Sequence, residues 1–334
     1  MEQQRAQVLK THGFEILRTL GKGGFSHVFQ VQKQEYGIIA AKVMNEDEFD
    51  MNEWRTGLQL AFGNQNPFIL KYYSAQMFEF SAVILMDYAN MNNLDCLIET
   101  QKDIPIPLIR AIMRQLLEGL RIMHQKGFIH RDIKGQNILL HSPPGSGRVI
   151  VKIADLGLIK VQKQPLQSTK MAIVGTIPYQ PPEMIMGNED DKIIADAKID
   201  VWSSGIILHQ LMSHSFPFKS TNLQAIMMFM FSKKLERPPQ VKDDIMWDLL
   251  TKMLAFDRKD RISASDALKH EFFTGEQAMK EISQDVQNLA LAAQTAKKQG
   301  DQSITYYDTN ALFIIPESQI KQILSIDHED DNTQ

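Results

Sequence analysis

Three oxygen-bearing side chains carry the strongest chemical signal in this chain. His130-Arg131-Asp132-Ile133-Lys134-Gly135-Gln136-Asn137 runs into the apolar Ile138-Leu139-Leu140, and Asp155-Leu156-Gly157 follows a second apolar run at 149–153. This order puts Asp132, Asn137 and Asp155 on neighbouring turns at the ends of two short strands. Oxygen ligands of this kind suit Mg2+, a small hard cation commonly shared between protein oxygens and substrate phosphates. Upstream, Gly21-Lys22-Gly23-Gly24-Phe25-Ser26-His27-Val28 is a glycine-rich turn between two expected strands. Without Cβ atoms in the way, backbone amides there can approach phosphate oxygens closely. By itself such a hairpin is equally a plain tight turn. A strand follows it, not a helix, which argues against a dinucleotide-binding turn and against a Walker loop. Ala40-Ala41-Lys42-Val43 sets a lysine in an otherwise apolar strand, where an ammonium is costly unless it meets an anion. That anion is a nucleotide phosphate or one of Glu46, Glu48 and Glu53, unless the strand is an edge and Lys42 faces water.

Elements of matching type must hold these groups. Residues 14–20, 28–31, 38–43 and 83–86 are short runs rich in β-branched or aromatic residues, which predicts a small sheet lobe. Between them, 46–62 carries acids first and apolar residues later, without proline, and reads as one helix with Asn45 as its N-cap. After Asn90-Met91-Asn92-Asn93 the period changes. Ile109, Ile112, Met113, Leu116, Leu117, Leu120 and Met123 form the stripe of a long amphipathic helix. Further helices are expected at 199–212, 223–231, 245–254 and 264–269, the greasy run 225–231 being read as buried. Beyond Phe273, the spacing of Met279, Ile282, Val286 and Leu289, continued by Ala293 and Ala296, predicts one helix with one apolar face. That face docks on the main domain, forms a short coiled coil, or takes a regulatory partner. The run 311–316 and the amphipathic stretch to 326 carry no assigned role.

With these residues in this order, the sequence resembles the eukaryotic protein kinase family over 14–273. Further landmarks agree: Gly175-Thr176 before Tyr179-Gln180-Pro181-Pro182-Glu183, then Asp200-Val201-Trp202-Ser203-Ser204-Gly205, then Arg261. The resemblance implies an α+β, bilobal fold: an antiparallel β-sheet N-lobe with one helix at 14–88, a mainly α-helical C-lobe at 89–273, and a tail at 274–334 with an amphipathic helix and an acidic end. It also implies ATP and Mg2+ as cofactors. Gly21, Lys22, Gly23, Gly24, Phe25 and Ser26 would cover the phosphates, and Lys42 would grip them while pairing with a helix glutamate. Asp132 would orient the attacking hydroxyl and accept its proton, Lys134 would neutralise the transferring phosphoryl group, and Asn137 and Asp155 would hold the metal. Met86 would be the gatekeeper, with Asp87, Tyr88 and Ala89 as the hinge against adenine; Val28, Ala40 and Leu139 would form the apolar shelves. Glu183 and Arg261 would form a buried structural ion pair. Lys134 with Thr176 resembles the serine/threonine branch, and the loop 130–137 is similar to that of Ste20-like kinases.

Several positions depart from the family pattern. Ser26 replaces the third glycine, and Leu156 stands where phenylalanine is usual. Counting back from Pro67 by the common spacing lands on Gly57, so Glu53 as the helix glutamate requires a short insertion before Pro67. Arg131 resembles kinases whose activation segment is ordered by a phosphate. Ala172, however, occupies the usual phosphosite, leaving Ser168 and Thr169 as displaced substitutes or the enzyme independent of such a phosphate. Asn93, Gln136 and Gln210 are neutral where relatives selecting upstream arginine carry acids, so strong basic-motif selectivity is not expected.

Bulk properties bound the remaining choices. With 334 residues, 43% hydrophobic and 23% charged, the chain can build a two-lobed domain and a tail, and disorder cannot dominate it. A formal charge of -4 speaks against a nucleic-acid partner; Asp327, Glu329, Asp330 and Asp331 form a short acidic end. No apolar stretch approaches the ~20 residues of a membrane span. The polar residues 1–7 lead into no signal-peptide core. Cys96 is the only cysteine, which rules out an intramolecular disulfide and fits the cytoplasm or nucleus. The partners expected are proteins carrying Ser/Thr hydroxyls. Two rival readings are a pseudokinase scaffold, whose usual sign is loss of the lysine or an aspartate retained here, and a small-molecule kinase.

Overall fold

No periodicity announces the first element, helix α1 (Glu2–Thr11), which buries Leu9 and Arg5. The computed structural model describes residues 2–24, 26–61, 66–162, 164–172, 174–187 and 193–325, and the statements below concern those residues. Strands β1 (Glu15–Lys22), β2 (Ser26–Lys33) and β3 (Gly37–Asn45) follow, then helix α2 (Met51–Ala61), then β4 (Tyr72–Phe78) and β5 (Ser81–Met86). The five strands form one antiparallel sheet in the order β1-β2-β3-β5-β4. Strand period two sorts the side chains of β3. Ile39, Ala41 and Val43 join the outer cluster with Leu9, Phe14 and Phe29, while Ala40 and Met44 turn inward to the main core. Lys42 therefore points inward from a central strand, between Val28 and Ile84, and the edge-strand reading fails.

The helix expected at 46–62 is two pieces, a 3-10 turn at Glu46–Glu48 and then α2, with Phe62 outside the described residues. Asn45 sits at the cap position of the turn, where its N–H donates to Glu48 Oε2 at 3.1 Å. Strand β4 was absent from the sequence reading; its residues alternate poorly and lie half-buried.

The second lobe is built on α3 (Leu94–Glu99) and α4 (Ile106–Gln125), then the short strands β6 (Phe128–Ile129), β7 (Ile138–His141), β8 (Arg148–Ile153), β9 (Lys160–Val161) and β10 (Thr169–Met171). Helix α5 (Pro182–Ile185), β11 (Ile193–Ala195), α6 (Lys198–Ser213), α7 (Leu223–Ser232), α8 (Asp244–Met253), α9 (Ala264–Ala267) and α10 (Glu271–Thr274) complete it. Helix α4 shows the predicted stripe, yet its polar side is buried too. Arg110 donates to Phe272 O at 2.7 Å, Arg114 donates to Phe273 O, and Gln115 donates to Phe313 O at 2.6 Å. Most of those polar groups are satisfied in this way and can be covered, the Arg114 Nε being left without a partner among the described residues. Helix α7 corrects the expectation of burial: Ile226, Phe229 and Met230 face the core, but Met228 and Phe231 are 66% and 68% exposed, because the helix lies on the surface of the lobe.

The tail departs from the single predicted helix. It folds as α11 (Glu276–Lys280) and α12 (Gln284–Lys298), broken at Ser283, whose Oγ accepts the Val286 N–H at 3.3 Å as an N-cap. The three-and-four spacing ran across that break because Ile282 and Val286 still line one small groove with Pro107 and Ala111 of α4. Docking is thus the alternative the chain takes. The run 311–316 buries Phe313 and Ile315 and ends in strand β12 (Ile315–Pro316), which adds to β8 through Ile315 and Val149. Helix α13 (Glu317–Leu324) then buries Ile320 and Ile323, and Lys102 donates to Ser325 O at 2.6 Å. The acidic end lies outside the described residues. No helix among those described is long and apolar enough to cross a membrane.

Candidate active site

Between β6 and β7 the chain makes the loop that holds Asp132, and the loop's shape is set from below. Asp200, fully buried in α6, accepts hydrogen bonds from the His130 N–H at 2.9 Å, the Arg131 N–H at 2.9 Å and His124 Nε2 at 2.8 Å. Burial pushes the Asp200 carboxyl up, but these bonds, His124 first, outweigh it and hold the pKa below the usual carboxylate value. Arg131 takes φ 69°, a left-handed conformation a bulky residue adopts only when its surroundings impose it. The bonds to Asp200 supply that imposition. His130 anchors the same loop to the next one, its Nε2 lying 3.0 Å from Ala154 O.

Asp132 is held by four donors. Oδ2 accepts from Lys134 Nζ at 2.8 Å and Asn137 Nδ2 at 3.0 Å; Oδ1 accepts from the Thr176 N–H at 3.0 Å and Thr176 Oγ1 at 2.7 Å. Lys134 Nζ also donates to Thr176 Oγ1 at 2.8 Å. Asn137 spends Nδ2 on Asp132, which leaves its Oδ1 available as a ligand oxygen. At Gly135 a Cβ would lie 1.8 Å from Asp95 Oδ1 and 3.1 Å from the Asp95 N, so a larger residue would push the Asp95 carboxylate aside.

The second half of the site hangs from β3 and α2. Lys42 Nζ lies 2.8 Å from Glu53 Oε1 and 3.3 Å from Asp155 Oδ1. Lys42 and Glu53 are 16% and 5% exposed, so neither charge could stay buried without the other. Burial works against the Lys42 ammonium, and the two carboxylates overcome it, raising its pKa. Asp155 is likewise pushed up by burial and pulled further down by Lys42, so its carboxylate is favoured. It takes φ 61°, while Leu156 fills a fully buried apolar slot in place of the usual phenylalanine. Tyr72 Oη donates to Glu53 Oε1 at 3.3 Å. Gly57 packs beneath that ring, where a Cβ would approach Tyr72 Cγ to 2.5 Å. Glu53, not the position of Gly57, is therefore the glutamate that meets Lys42.

Gly21 and Lys22 end β1, opposite Val28 and His27, and the Gly23 N–H donates to Ser26 O at 2.8 Å across the turn with Gly24. Phe25 lies outside the described residues. Ala40 pairs with Met86 across β3 and β5, and both belong to the main core, with Val28 and Leu139 packed at its border. Asp87 turns its carboxylate toward the start of β4, accepting from Tyr73 Oη at 2.6 Å and the Lys71 N–H at 3.3 Å. Its main-chain N–H is used by Lys71 O, whereas Ala89 makes no main-chain hydrogen bond among the described residues. Arg261 forms the bidentate pair with Glu183, at 2.7 and 2.9 Å. Two residues that shape the site carry no functional signal in the sequence: Asp200 reads only as a family landmark, and no local pattern marks Tyr72.

Hard oxygens from Asn137 and Asp155, with few other acids beside them, fit a divalent cation shared with phosphates better than a cation caged by protein. Among the described residues no group of three or more His, Cys, Asp or Glu side chains could hold a metal alone.

Comparison with known proteins identifies the family of the domain. The protein kinase domain profile matches residues 14–273. Serine/threonine-protein kinase ULK1 of Homo sapiens is 29% identical over 286 residues, which cover 81% of this chain and 26% of that protein. Serine/threonine-protein kinase pakH of Dictyostelium discoideum is 33% identical over 283 residues, 81% of this chain and 52% of that protein. Aurora kinase of Saccharomyces cerevisiae is 28% identical over 267 residues, 78% of this chain and 69% of that protein. The chain thus spans about a quarter to a half of the length of the first two.

Proposed function

This chain belongs to the protein kinase family, and from that premise we propose that it is a serine/threonine protein kinase transferring the γ-phosphoryl group of ATP to protein hydroxyls. The observation that carries the proposal is the meeting of the Lys42–Glu53 pair with Asp155 on one side and the Asp132–Lys134–Asn137 cluster on the other. Bound Mg-ATP supplies the phosphoryl group and the metal charge that offsets its oxygens. The protein's part is positioning and charge stabilisation.

Lys42, fixed by Glu53, presents its ammonium to the phosphates, under the turn 21–26. Asn137 Oδ1 and the Asp155 carboxylate would hold Mg2+. Asp132 Oδ1 already accepts one hydroxyl, that of Thr176, and is oriented to take the proton of a substrate hydroxyl. Lys134, shared between Asp132 and Thr176, places a positive charge beside the transferring group. Met86, Asp87 and Ala89 would border adenine, with Val28, Ala40 and Leu139 as its apolar shelves.

Protein substrates without sharp selection for upstream arginine fit the neutral Asn93, Gln136 and Gln210. Asp95 is a nearby acid, and burial, then the charge of Glu99, raises its pKa. A reducing, Mg-ATP-rich compartment, the cytoplasm or nucleus, suits a chain with one cysteine.

The test is label transfer from radiolabelled ATP to a mixture of protein substrates, followed by phosphoamino-acid analysis. We expect phosphoserine and phosphothreonine from the wild type, and loss of transfer in Asp132→Ala and Asp155→Asn. Nucleotide binding without transfer in the wild type would favour a scaffold and overturn the proposal.

A further inference from the structure

Helix α1 lies on the outer face of the sheet, away from the cleft, and the catalytic reading leaves it without a task. Part of its role is cover: Leu9 packs into the outer cluster with Phe14, Phe29 and Val31. Its first turn does more. Glu2 and Arg5 are three residues apart and so share a helix face. From that face they reach Lys22 and His27, which oppose each other as the last cross-strand pair before the glycine-rich turn. Glu2 lies 2.5 Å from Lys22 Nζ and accepts from Thr19 Oγ1 at 2.8 Å. Arg5 Nη1 lies 2.6 Å from His27 Nδ1.

Arginine can only donate, so His27 Nδ1 must accept and the ring must be neutral. Burial, then the charge of Arg5, lowers the His27 pKa and favours that state. Arg5 also reaches Asn45 Oδ1 and Glu48 Oε2, each at 3.5 Å. Asn45 closes β3, and Glu48 stands in the turn that leads into α2 and Glu53. The Glu2–Lys22 pair is largely exposed and worth little by itself. Arg5, with a side chain 6% exposed, carries the weight.

We propose that Arg5, supported by Glu2, is a positioning residue for nucleotide binding. It fixes the height of the β1–β2 tip above the phosphates and ties that height to the helix that holds Lys42 through Glu53. The inference rests on the kinase reading only for the identity of the ligand, Mg-ATP.

Three variants of the full chain separate positioning from cover. Arg5→Met keeps the apolar stem and removes the donors, Glu2→Gln removes the exposed charge, and Leu9→Ala strips packing while leaving Arg5. Mg-ATP affinity, hydrogen exchange of the amides at 21–28 and the KM values for ATP and for a protein substrate are measured on each. Arg5→Met should weaken Mg-ATP by about 3–10-fold, the size of one hydrogen bond. It should also speed exchange at 21–28 and leave the protein-substrate KM unchanged. Glu2→Gln should change affinity by less than about twofold, as an exposed pair does. Leu9→Ala should lower the melting temperature with unchanged affinity. Should Arg5→Met fail to fold, Arg5→Lys, which loses the planar fork, is read by the same measures. Unchanged affinity and exchange in Arg5→Met would overturn the inference. So would an equal loss of affinity in Leu9→Ala, since the helix would then be cover alone. Absence of phosphoryl transfer in the wild type would sink the kinase reading and leave the affinity and exchange comparisons standing.

Discussion

Replacing Asp200 by asparagine should damage both the stability and the turnover of this protein, although Asp200 touches no substrate. One carboxylate oxygen accepts from the Arg131 N–H at 2.9 Å; the other accepts from the His130 N–H at 2.9 Å and from His124 Nε2 at 2.8 Å. An asparagine offers one oxygen and one NH2. With its oxygen toward Arg131, the NH2 can donate to a neutral His124 Nε2, but it faces the His130 N–H as donor against donor. With its oxygen toward His130 and His124, it faces the Arg131 N–H instead. Either way one buried N–H is orphaned, at about 1–3 kcal/mol. Asp200→Ala orphans all three donors, at roughly 3–6 kcal/mol if their costs partly share relaxation.

The kinetic effect follows from Arg131, whose left-handed φ of 69° relaxes once its N–H is free, carrying Asp132 with it. A misplacement of about 1 Å can cost about 100-fold in rate, so kcat should fall by about 10–100-fold in Asp200→Asn with the KM for ATP little changed. Urea unfolding gives the stability and steady-state phosphorylation gives the kinetics. An asparagine variant with wild-type stability and wild-type kcat would show that the loop holds itself, and the reasoning would be wrong.

Lys42→Met should lower kcat/KM by about 100–1,000-fold, the cost of removing one preorganised donor at developing charge. A loss under about tenfold in steady-state assays would mean that another cation holds the phosphates. Ser168→Ala/Thr169→Ala should retain activity within about twofold, since Arg131 Nε already donates to Leu158 O at 2.5 Å and Thr169 is paired in a β10–β11 ladder; a large loss in a radiolabel assay would make one of the two a required phosphosite. Stability should fall as pH drops from 7 to 5. His27, His141 and His209 are each held below the ordinary imidazole pKa, by burial first. The unfolded chain therefore binds more protons below about pH 6.5, with a slope of at most ~1.4 kcal/mol per pH unit for each proton taken up. That loss levels off once the folded pKa values are passed, and the depressed aspartates add theirs only at more acid pH. Urea midpoints flat between pH 7 and 5 would contradict it.

What could be read from the sequence follows the distance over which each interaction acts. Asp132, Lys134 and Asn137 bond to one another within six residues, so their motif and their geometry coincide. Lys42 was legible as a charge in an apolar strand, but its partner was open until β3 and α2 were placed. Glu53 lies off the family spacing, and Tyr72, which locks it, sits on a strand with no clear alternation. Asp200 acts on backbone groups about 70 residues away, and no local pattern encodes a target at that range. Helix α1 eluded periodicity because its one deep apolar anchor is Leu9 and its other buried side chain, Arg5, is polar. The tail run 311–316 looked purposeless because what it buries, α4 and β8, is not next to it in sequence.

The two halves of the site have separate supports, and this has a consequence for how they respond to change. The Asp132 loop is shaped by α6 through Asp200, inside the core around Trp202. Lys42 is shaped by β3, α2 and Tyr72, with the turn 21–26 suspended from the same sheet. The ion contact between the two halves, Lys42 to Asp155 at 3.3 Å, is longer than the Lys42 contact to Glu53. Perturbing Asp200 in α6 should therefore act on turnover, and perturbing Arg5 in α1 should act on nucleotide affinity. The two effects should add when combined, because residues without shared partners couple little. Changes at Lys42 or Asp155, the two ends of that contact, should act on both at once.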